Sequence, residues 1–253
     1  MSEFPYLGLR PFQRDETNIF FGREALSSQL IKRLGNTHFV AVVGPSGYGK
    51  SSLVRAGLLA GLKRGASQGT PWWIAELCPS HRQFARLADA LLADETALGQ
   101  KYTDHFVESS QAPTFLQANL RRDPKSLDHI LTDMPLPQNT KLVIVVDQFE
   151  ELFRHCQQGE TGEAAAFIEL LLTSCEHANV YIVITIRSDC LSNCTSFAGL
   201  SEAINQGWFV IPQLTREQLQ LVIEGPARVF GGEVQSALVT RLLDDIKDDP
   251  EPL

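Results

Sequence analysis

A glycine-rich octapeptide near the start of the chain limits the possible folds more than any other segment does. Its residues, 44 to 51, match the pattern G-x-x-x-x-G-K-[ST]. The apolar, β-branched stretch 38–43 before it predicts a buried strand, and the apolar spacing of residues 51–59 predicts a helix after it. A strand, a glycine loop and a helix in this order are typical of a phosphate-binding loop, or P-loop. The sequence therefore predicts an α/β fold that binds a nucleotide.

The residue types of this loop suit a polyphosphate ligand. Gly47 and Gly49 lack a Cβ, so the backbone amides beside them are expected to point inward and approach phosphate oxygens closely. Lys50 is expected to reach the β- and γ-phosphates, and the Ser51 hydroxyl is expected to be a Mg²⁺ ligand. Tyr48 is expected to point away from the phosphates. The predicted nucleotide-binding residues of this segment are Gly44, Pro45, Ser46, Gly47, Tyr48, Gly49, Lys50, Ser51 and Ser52.

A second strong signal is an acidic segment that follows an apolar one. Residues 141–146 predict a buried parallel strand, and Asp147 comes directly after it. Ligands of open α/β sheets bind at the carboxyl ends of the strands, so Asp147 is predicted to hold Mg²⁺ through its water shell. Hydrolysis also needs a carboxylate that orients or deprotonates the attacking water, and Glu150 and Glu151 are the candidates. An acidic helix N-terminus would equally explain one of these two residues.

A further apolar segment ends in an arginine. Residues 180–186 predict another buried strand, and Arg187 follows it. An arginine at a strand end beside the strand of the P-loop can reach the γ-phosphate and so contribute to catalysis. The alternative is that Arg187 pairs with Asp189 or with another nearby acid.

Composition excludes several classes of protein. A formal net charge of −8 argues against a nucleic-acid groove as the main feature. The sequence has no apolar run that approaches the roughly 18 residues of a membrane span, and its first residues do not resemble a secretion signal. A cytoplasmic protein without membrane association is therefore expected. Because no Asn-Lys-x-Asp signature of guanine recognition is present, ATP and ADP are the expected nucleotides.

The tripeptide at 22–24, Gly-Arg-Glu, precedes the P-loop strand by one predicted helix. Together with segments 5–12 (PYLGLRPF), 44–59 (GPSGYGKSSLVRAGLL) and 147–153 (DQFEELF), it resembles the bacterial novel-STAND branch of the STAND class of P-loop NTPases. That class includes the NB-ARC and NACHT proteins. The resemblance extends over nearly the whole chain.

This resemblance implies roles for residues outside the loop. Gly22 and Arg23 would lie against the adenine and ribose, whereas without the resemblance they would be a helix cap and a surface charge. NACHT-like relatives have an acid three residues after the Mg²⁺-binding aspartate, which favours Glu150 over Glu151. Arg187 would correspond to the arginine with which relatives sense the γ-phosphate.

The resemblance also implies an architecture: a five-stranded parallel sheet of order 5-1-4-3-2, flanked by helices and followed by a partial helical lid. Right-handed crossover connections support such a sheet independently. The expected parts are an N-terminal arm and helix at 1–36, an NTPase core at 37–212 and the start of the lid at 213–253. Within the lid, a helix is expected to begin at Thr215 and to break near 225–226, where Gly and Pro follow each other.

The implied function is an ATP-binding, Mg²⁺-dependent and slow NTPase module of a signalling switch, in which ADP and ATP favour different states. The chain is expected to be a fragment, because relatives continue into a winged helix and sensing repeats and self-associate at full length. Two alternatives remain open. One is a nucleotide-binding interaction module without turnover. The other is a remodelling ATPase or nucleic-acid motor of related fold, for which an arginine finger and a basic channel would be expected.

Overall fold

The computed structural model of the chain describes residues 4–66, 69–79, 82–93, 111–156 and 161–247. The last residues of the predicted lid, 248–253, lie outside these ranges. The chain forms two compact units. The first contains the described residues of Met1–Lys32, Gly44–Arg64 and Val210–Leu253, and the second contains those of Arg33–Val43 and Gly65–Phe209. The predicted three-part division at residues 36 and 212 stays a prediction.

Five strands form one sheet of order β2-β3-β4-β1-β5. They are β1 (Phe39–Gly44), β2 (Trp72–Leu77), β3 (Lys141–Val146), β4 (Val180–Arg187) and β5 (Trp208–Val210). β2 and β3 pair in parallel with Trp72 opposite Lys141, and β3 and β4 pair in parallel with Leu142 opposite Val180. Read from the other edge, this is the predicted order 5-1-4-3-2, so the predicted α/β fold is confirmed.

The burial of the strands explains why their sequences are continuously apolar. All six residues of β1 are buried, as are the last five of β3 and the first seven of β4. Central strands of a parallel sheet have both faces covered, so alternation with polar residues is not needed. β5 is different, because it is short and half-exposed and ends at Val210.

Helices flank these strands in the sequence. They are α1 (Glu24–Asn36), α3 (Gln83–Leu92), α4 (Ala112–Leu120), α5 (Ser126–Asp133), α6 (Glu151–Cys156), α7 (Thr161–Ser174), α8 (Leu200–Gly207), α9 (Arg216–Val229) and α10 (Ser236–Lys247). Within the second unit, α3, α4, α5 and α7 contribute to one hydrophobic core with the strands. The rings of Phe84 and Phe167 meet edge to face there, with centroids 5.5 Å apart.

The helix that follows the P-loop, α2, is not a regular α-helix. It begins with one α-helical turn at Lys50–Ser52, continues as a π-helical segment at Leu53–Leu59, and returns to the α-helical form at Ala60–Ala66. Such π-helical segments are rare and occur preferentially near functional sites. Gly57 and Gly61 allow close packing on α1, because an added Cβ would meet Ser27 and Ile31 respectively.

The start of α9 agrees with the sequence, but its predicted break does not. Thr215 Oγ1 accepts a hydrogen bond from the Gln218 amide, and the Gln218 side chain accepts one from the Thr215 amide. The helix then continues to Val229 with Pro226 inside it, so the break expected near 225–226 is wrong. Tertiary contacts within the first unit explain the difference. The ring of Phe21 packs directly against Gly225, where a side chain would not fit, and the Tyr6 hydroxyl donates to the Ile223 carbonyl at 2.5 Å.

Candidate nucleotide-binding site

The glycine loop of the first unit has the backbone conformation that the motif predicts. Gly44 ends β1, and α2 begins at Lys50. Gly47 and Gly49 both have a φ of 79°, in the left-handed region that favours glycine. An added Cβ at Gly49 would meet no atom within 4 Å, so backbone conformation rather than crowding requires a glycine there.

The side chain of Lys50 folds back over this loop. Its Nζ donates to the Gly44 carbonyl at 2.9 Å and to the Pro45 carbonyl at 2.7 Å. Both acceptors are neutral carbonyls, one of the buried Gly44 and the other of the exposed Pro45. A phosphate oxygen is a stronger acceptor for an ammonium group, because charge-assisted hydrogen bonds are roughly twice as strong as neutral ones. The ammonium group of Lys50 is therefore positioned at the loop and can exchange these partners for an anion.

Two residues of the predicted set connect the loop to other segments of the first unit. The Ser52 hydroxyl accepts a hydrogen bond from the Phe12 amide at 3.2 Å, which ties the N-terminal arm to α2. The Tyr48 hydroxyl accepts one from Gln213 Nε2 at 2.7 Å. Pro45 and Ser46 are exposed, and Ser51 is half-buried.

Gly22 and Arg23 lie in a closely packed part of the first unit. Gly22 has a φ of 78°, and an added Cβ would lie 3.0 Å from the Gln218 carbonyl oxygen. Arg23 is only 8% exposed and donates from Nη1 to the Pro212 carbonyl at 2.9 Å. Burial lowers the pKa of this guanidinium. Arg23 is therefore not a surface charge, so that alternative from the sequence is wrong.

In the second unit, Asp147 follows β3 directly and is 4% exposed. Thr185 Oγ1 donates to Asp147 Oδ1 at 2.6 Å and accepts from the Gln148 amide at 2.9 Å. Gln148 itself has a φ of 58°, which is uncommon for a residue other than glycine. The Asp147 carboxylate is thus held in a defined orientation at the carboxyl end of β3.

The two candidate bases have different surroundings. Glu150 is 8% exposed, and its Oε2 accepts a hydrogen bond from the Arg187 amide at 3.3 Å. Glu151 is more exposed, and its Oε1 pairs with Arg154 at 2.8 Å on the surface of α6. The structure therefore brings Glu150, but not Glu151, against the end of β4. Which of them serves catalysis stays a prediction.

Arg187 adopts the paired arrangement that the sequence left open. Its Nε and Nη2 donate to the two carboxylate oxygens of Asp189, at 3.0 and 2.6 Å. This hydrogen bonding raises the pKa of Arg187 and lowers that of Asp189. Both side chains are substantially exposed, so the pair is accessible to solvent. A role of Arg187 towards phosphate stays a prediction.

The fit of a nucleotide and Mg²⁺ can be tested on each unit separately. The loop of the first unit has the left-handed glycines and the lysine that a phosphate needs. Among the residues that the structure describes, no group of three or more His, Cys, Asp or Glu side chains could hold a metal. Mg²⁺ at nucleotide sites usually needs only one or two protein ligands, with phosphate oxygens and waters completing its shell. Asp147 of the second unit and Ser51 of the first each carry an oxygen donor of the type that Mg²⁺ prefers. Their joint role as Mg²⁺ ligands stays a prediction.

Sequence reasoning missed Thr185. Its signal was a threonine in the otherwise apolar and aromatic run of β4, two positions before Arg187. Because threonine is β-branched and common in strands, the pattern alone gives no reason to separate it from its neighbours. Only the register between β3 and β4 places its hydroxyl beside Asp147.

Comparison with solved structures supports the fold. The chain is similar to a Walker-type ATPase of Pyrococcus abyssi, with a TM-score of 0.57, 15% identity, and 93% of this chain and 65% of that one covered. It is also similar to the Aeropyrum pernix ORC1 protein in complex with DNA, with a TM-score of 0.52, 19% identity and coverage of 86% and 53%. For Drosophila ORC bound to DNA the TM-score is 0.51, with 16% identity and coverage of 98% and 59%. The chain thus spans between half and two thirds of the length of these proteins.

Among the residues described, no helix is long and apolar enough to cross a membrane.

Two further comparisons concern the sequence. No curated protein matches the chain. A model of the family Novel STAND NTPase 1 matches residues 5–253, almost the full length. The chain therefore belongs to the Novel STAND NTPase 1 family.

Proposed function

We propose that this chain is the ATP-binding, Mg²⁺-dependent ATPase module of a signalling switch, with slow turnover. The observation that carries this proposal is the pair of buried acids Asp147 and Glu150, both held by residues of β4 in a chain that also has a complete P-loop. One carboxylate suits metal binding, and the second suits the attacking water. A module that only binds nucleotide would not need the second acid.

In this proposal each residue has a definite task. The backbone amides at 47–51 and the Lys50 ammonium bind the phosphates. Ser51 and Asp147 hold Mg²⁺, which neutralises charge on the β- and γ-phosphates. Glu150 orients or deprotonates the water, and Arg187 contacts the γ-phosphate.

The base-binding part of the proposal rests on Gly22 and Arg23. Close packing at Gly22 brings the backbone of α9 near the segment that precedes α1, within the same unit. Arg23 is fixed by its bond to Pro212. Adenine and ribose would lie against this backbone rather than against a flexible side chain.

The switch itself follows from differential affinity. ADP favours one state and ATP another, and the populations change by as much as the two affinities differ. Self-association of the full-length protein in the ATP state, a winged-helix partner for ADP and a cytoplasmic location all belong to this proposal. Two structural neighbours were solved with DNA, but a formal net charge of −8 does not favour nucleic acid as a partner here.

The test is nucleotide binding and turnover by the purified chain. We expect mass spectrometry of the purified protein to detect retained ADP or ATP, and calorimetry to show tighter ATP binding with Mg²⁺ than with EDTA. Phosphate release should be slower than about 1 s⁻¹, which is the lower end of typical enzyme turnover rates. GTP should compete poorly.

Two results would change the proposal. A folded chain that binds no nucleoside triphosphate at all would overturn it. Mg²⁺-dependent ATP binding without any phosphate release, in the chain and at full length, would instead support the interaction module without turnover.

A further inference from the structure

We propose that Thr185 is a positioning residue that orients Asp147 for Mg²⁺ through its hydroxyl group. This inference rests on the proposed function, because it assigns a task to a residue beside the predicted metal ligand. Thr185 is fully buried, with 0% exposure, near the carboxyl end of β4. Its position in the sheet follows from the parallel register in which Val146 of β3 lies opposite Ile184 of β4.

The direction of each hydrogen bond at this hydroxyl is determined. The Gln148 amide can only donate, so Thr185 Oγ1 accepts from it at 2.9 Å. A hydroxyl has one proton, and that proton points to Asp147 Oδ1, which lies at 2.6 Å. The Asp147 carboxylate therefore receives a short, charge-assisted hydrogen bond from a donor that cannot rotate away without losing its other partner.

The backbone of Thr185 reinforces this arrangement. Its carbonyl accepts from the Phe149 amide at 2.9 Å, while the Asp147 amide donates to the Leu77 carbonyl of β2 at 2.8 Å. Residues 147 to 149 are thus held on both sides by neighbouring strands. The uncommon φ of 58° at Gln148 is maintained between these bonds. One residue of β4 therefore controls both the turn after β3 and the carboxylate on it.

Packing alone does not explain a threonine here. Valine has almost the same shape and is abundant in these strands, and a buried hydroxyl costs free energy unless it is hydrogen-bonded. The free-energy cost of burying this hydroxyl is offset only by its two hydrogen bonds. Residues that orient metal ligands through such bonds typically change metal affinity by about 10- to 100-fold when they are replaced.

The experiment compares Thr185→Val with Thr185→Ser in Mg²⁺ titrations of the whole chain, using a fluorescent ATP analogue as the probe. For Thr185→Val we expect the Mg²⁺ concentration at half-maximal effect to rise about 10-fold or more, while affinity for the analogue in EDTA stays within about twofold. Thr185→Ser keeps the hydroxyl and should recover most of the Mg²⁺ response. A merely structural role would change both affinities together.

The matched control is Thr140→Val. Thr140 is also buried, at 2% exposure, but it precedes β3 at the opposite end of the strand from Asp147. This variant should leave the Mg²⁺ response unchanged. If Thr185→Val does not fold, the pair Thr185→Ala and Thr185→Ser, which differ only by the hydroxyl, gives the same comparison.

The outcomes separate the two proposals. If the unaltered chain shows no Mg²⁺-dependent binding, the proposed function fails. If it does, but the variants without the hydroxyl have the Mg²⁺ response of the unaltered chain, the role of Thr185 is overturned and the proposed function stands.

Discussion

The P-loop and the cluster of acids after β3 satisfy their polar groups in opposite ways. In the P-loop, residues 45–47 are exposed, and Lys50 rests on two carbonyls of the loop itself. At the acids after β3, the Asp147 and Glu150 side chains are buried and accept hydrogen bonds from Thr185 and Arg187 of β4. The P-loop is thus shaped by its backbone conformation, whereas the side chains at the acids after β3 are held by hydrogen bonds from β4. Changes in the first should affect binding, and changes in the second should affect metal use and chemistry.

The largest expected effect is that of Lys50→Ala. Loss of the ammonium group removes charge-assisted bonds to phosphate, so ATP affinity should fall by at least about 100-fold. Because the Lys50 Nζ donates to the Gly44 and Pro45 carbonyls of its own loop, its loss should change the melting temperature little. Calorimetry and thermal denaturation measure the two quantities. Lys63→Ala, an exposed lysine further along α2, is the control, and equal ATP affinity in Lys50→Ala would refute the P-loop assignment.

Glu150→Gln should have the next largest effect, on turnover rather than on binding. Loss of a general base typically lowers the rate about 100-fold. The amide oxygen of glutamine can still accept the hydrogen bond from the Arg187 amide. ATP affinity should therefore stay within a few-fold. Phosphate release under single-turnover conditions measures the rate. Glu151→Gln, which only removes a surface partner of Arg154, should have a small effect, and a reversed order of the two variants would transfer the role to Glu151.

The smallest expected effect concerns the pair Arg187 and Asp189. If Arg187 contacts the γ-phosphate, Asp189 competes for it, and Asp189→Asn should raise ATP affinity over ADP affinity. Because exposed ion pairs are weak, the change should be at most about fivefold. The difference in ATP preference between the variant and the unaltered chain should shrink at high salt, because salt screens the ion pair of Arg187 and Asp189. Arg187→Ala should abolish any ATP preference, and a preference that survives in Arg187→Ala would exclude the sensing role.

The sheet could be predicted from the sequence because its signals are local and agree with one another. β1, β3 and β4 are long apolar runs, and a polar residue or glycine marks the end of each. Connection rules then leave few possible orders. The resemblance to a known family supplied the one that the structure confirms.

What could not be predicted depends on contacts between distant residues. Pro226 has a local preference to end a helix, but Phe21 and Tyr6 hold α9 together from far away in the sequence. Thr185 looks like any strand residue until β3 lies beside it. For Arg187, the sequence offered both a phosphate and Asp189 as partners, and spacing alone does not decide between two acceptors within reach.

Because of the π-helical segment of α2, the number of residues in this helix affects which side chains face α1. A π turn contains an extra residue, so every side chain after it is rotated by about 100° relative to a regular α-helix. Gly61 faces Ile31 of α1 because the π-helical form of residues 53–59 accommodates that residue. A single-residue deletion within 53–59 would therefore restore a regular helix and leave Gly61 facing Ile31. In this segment, the loss of one residue can leave the residues that follow it in place.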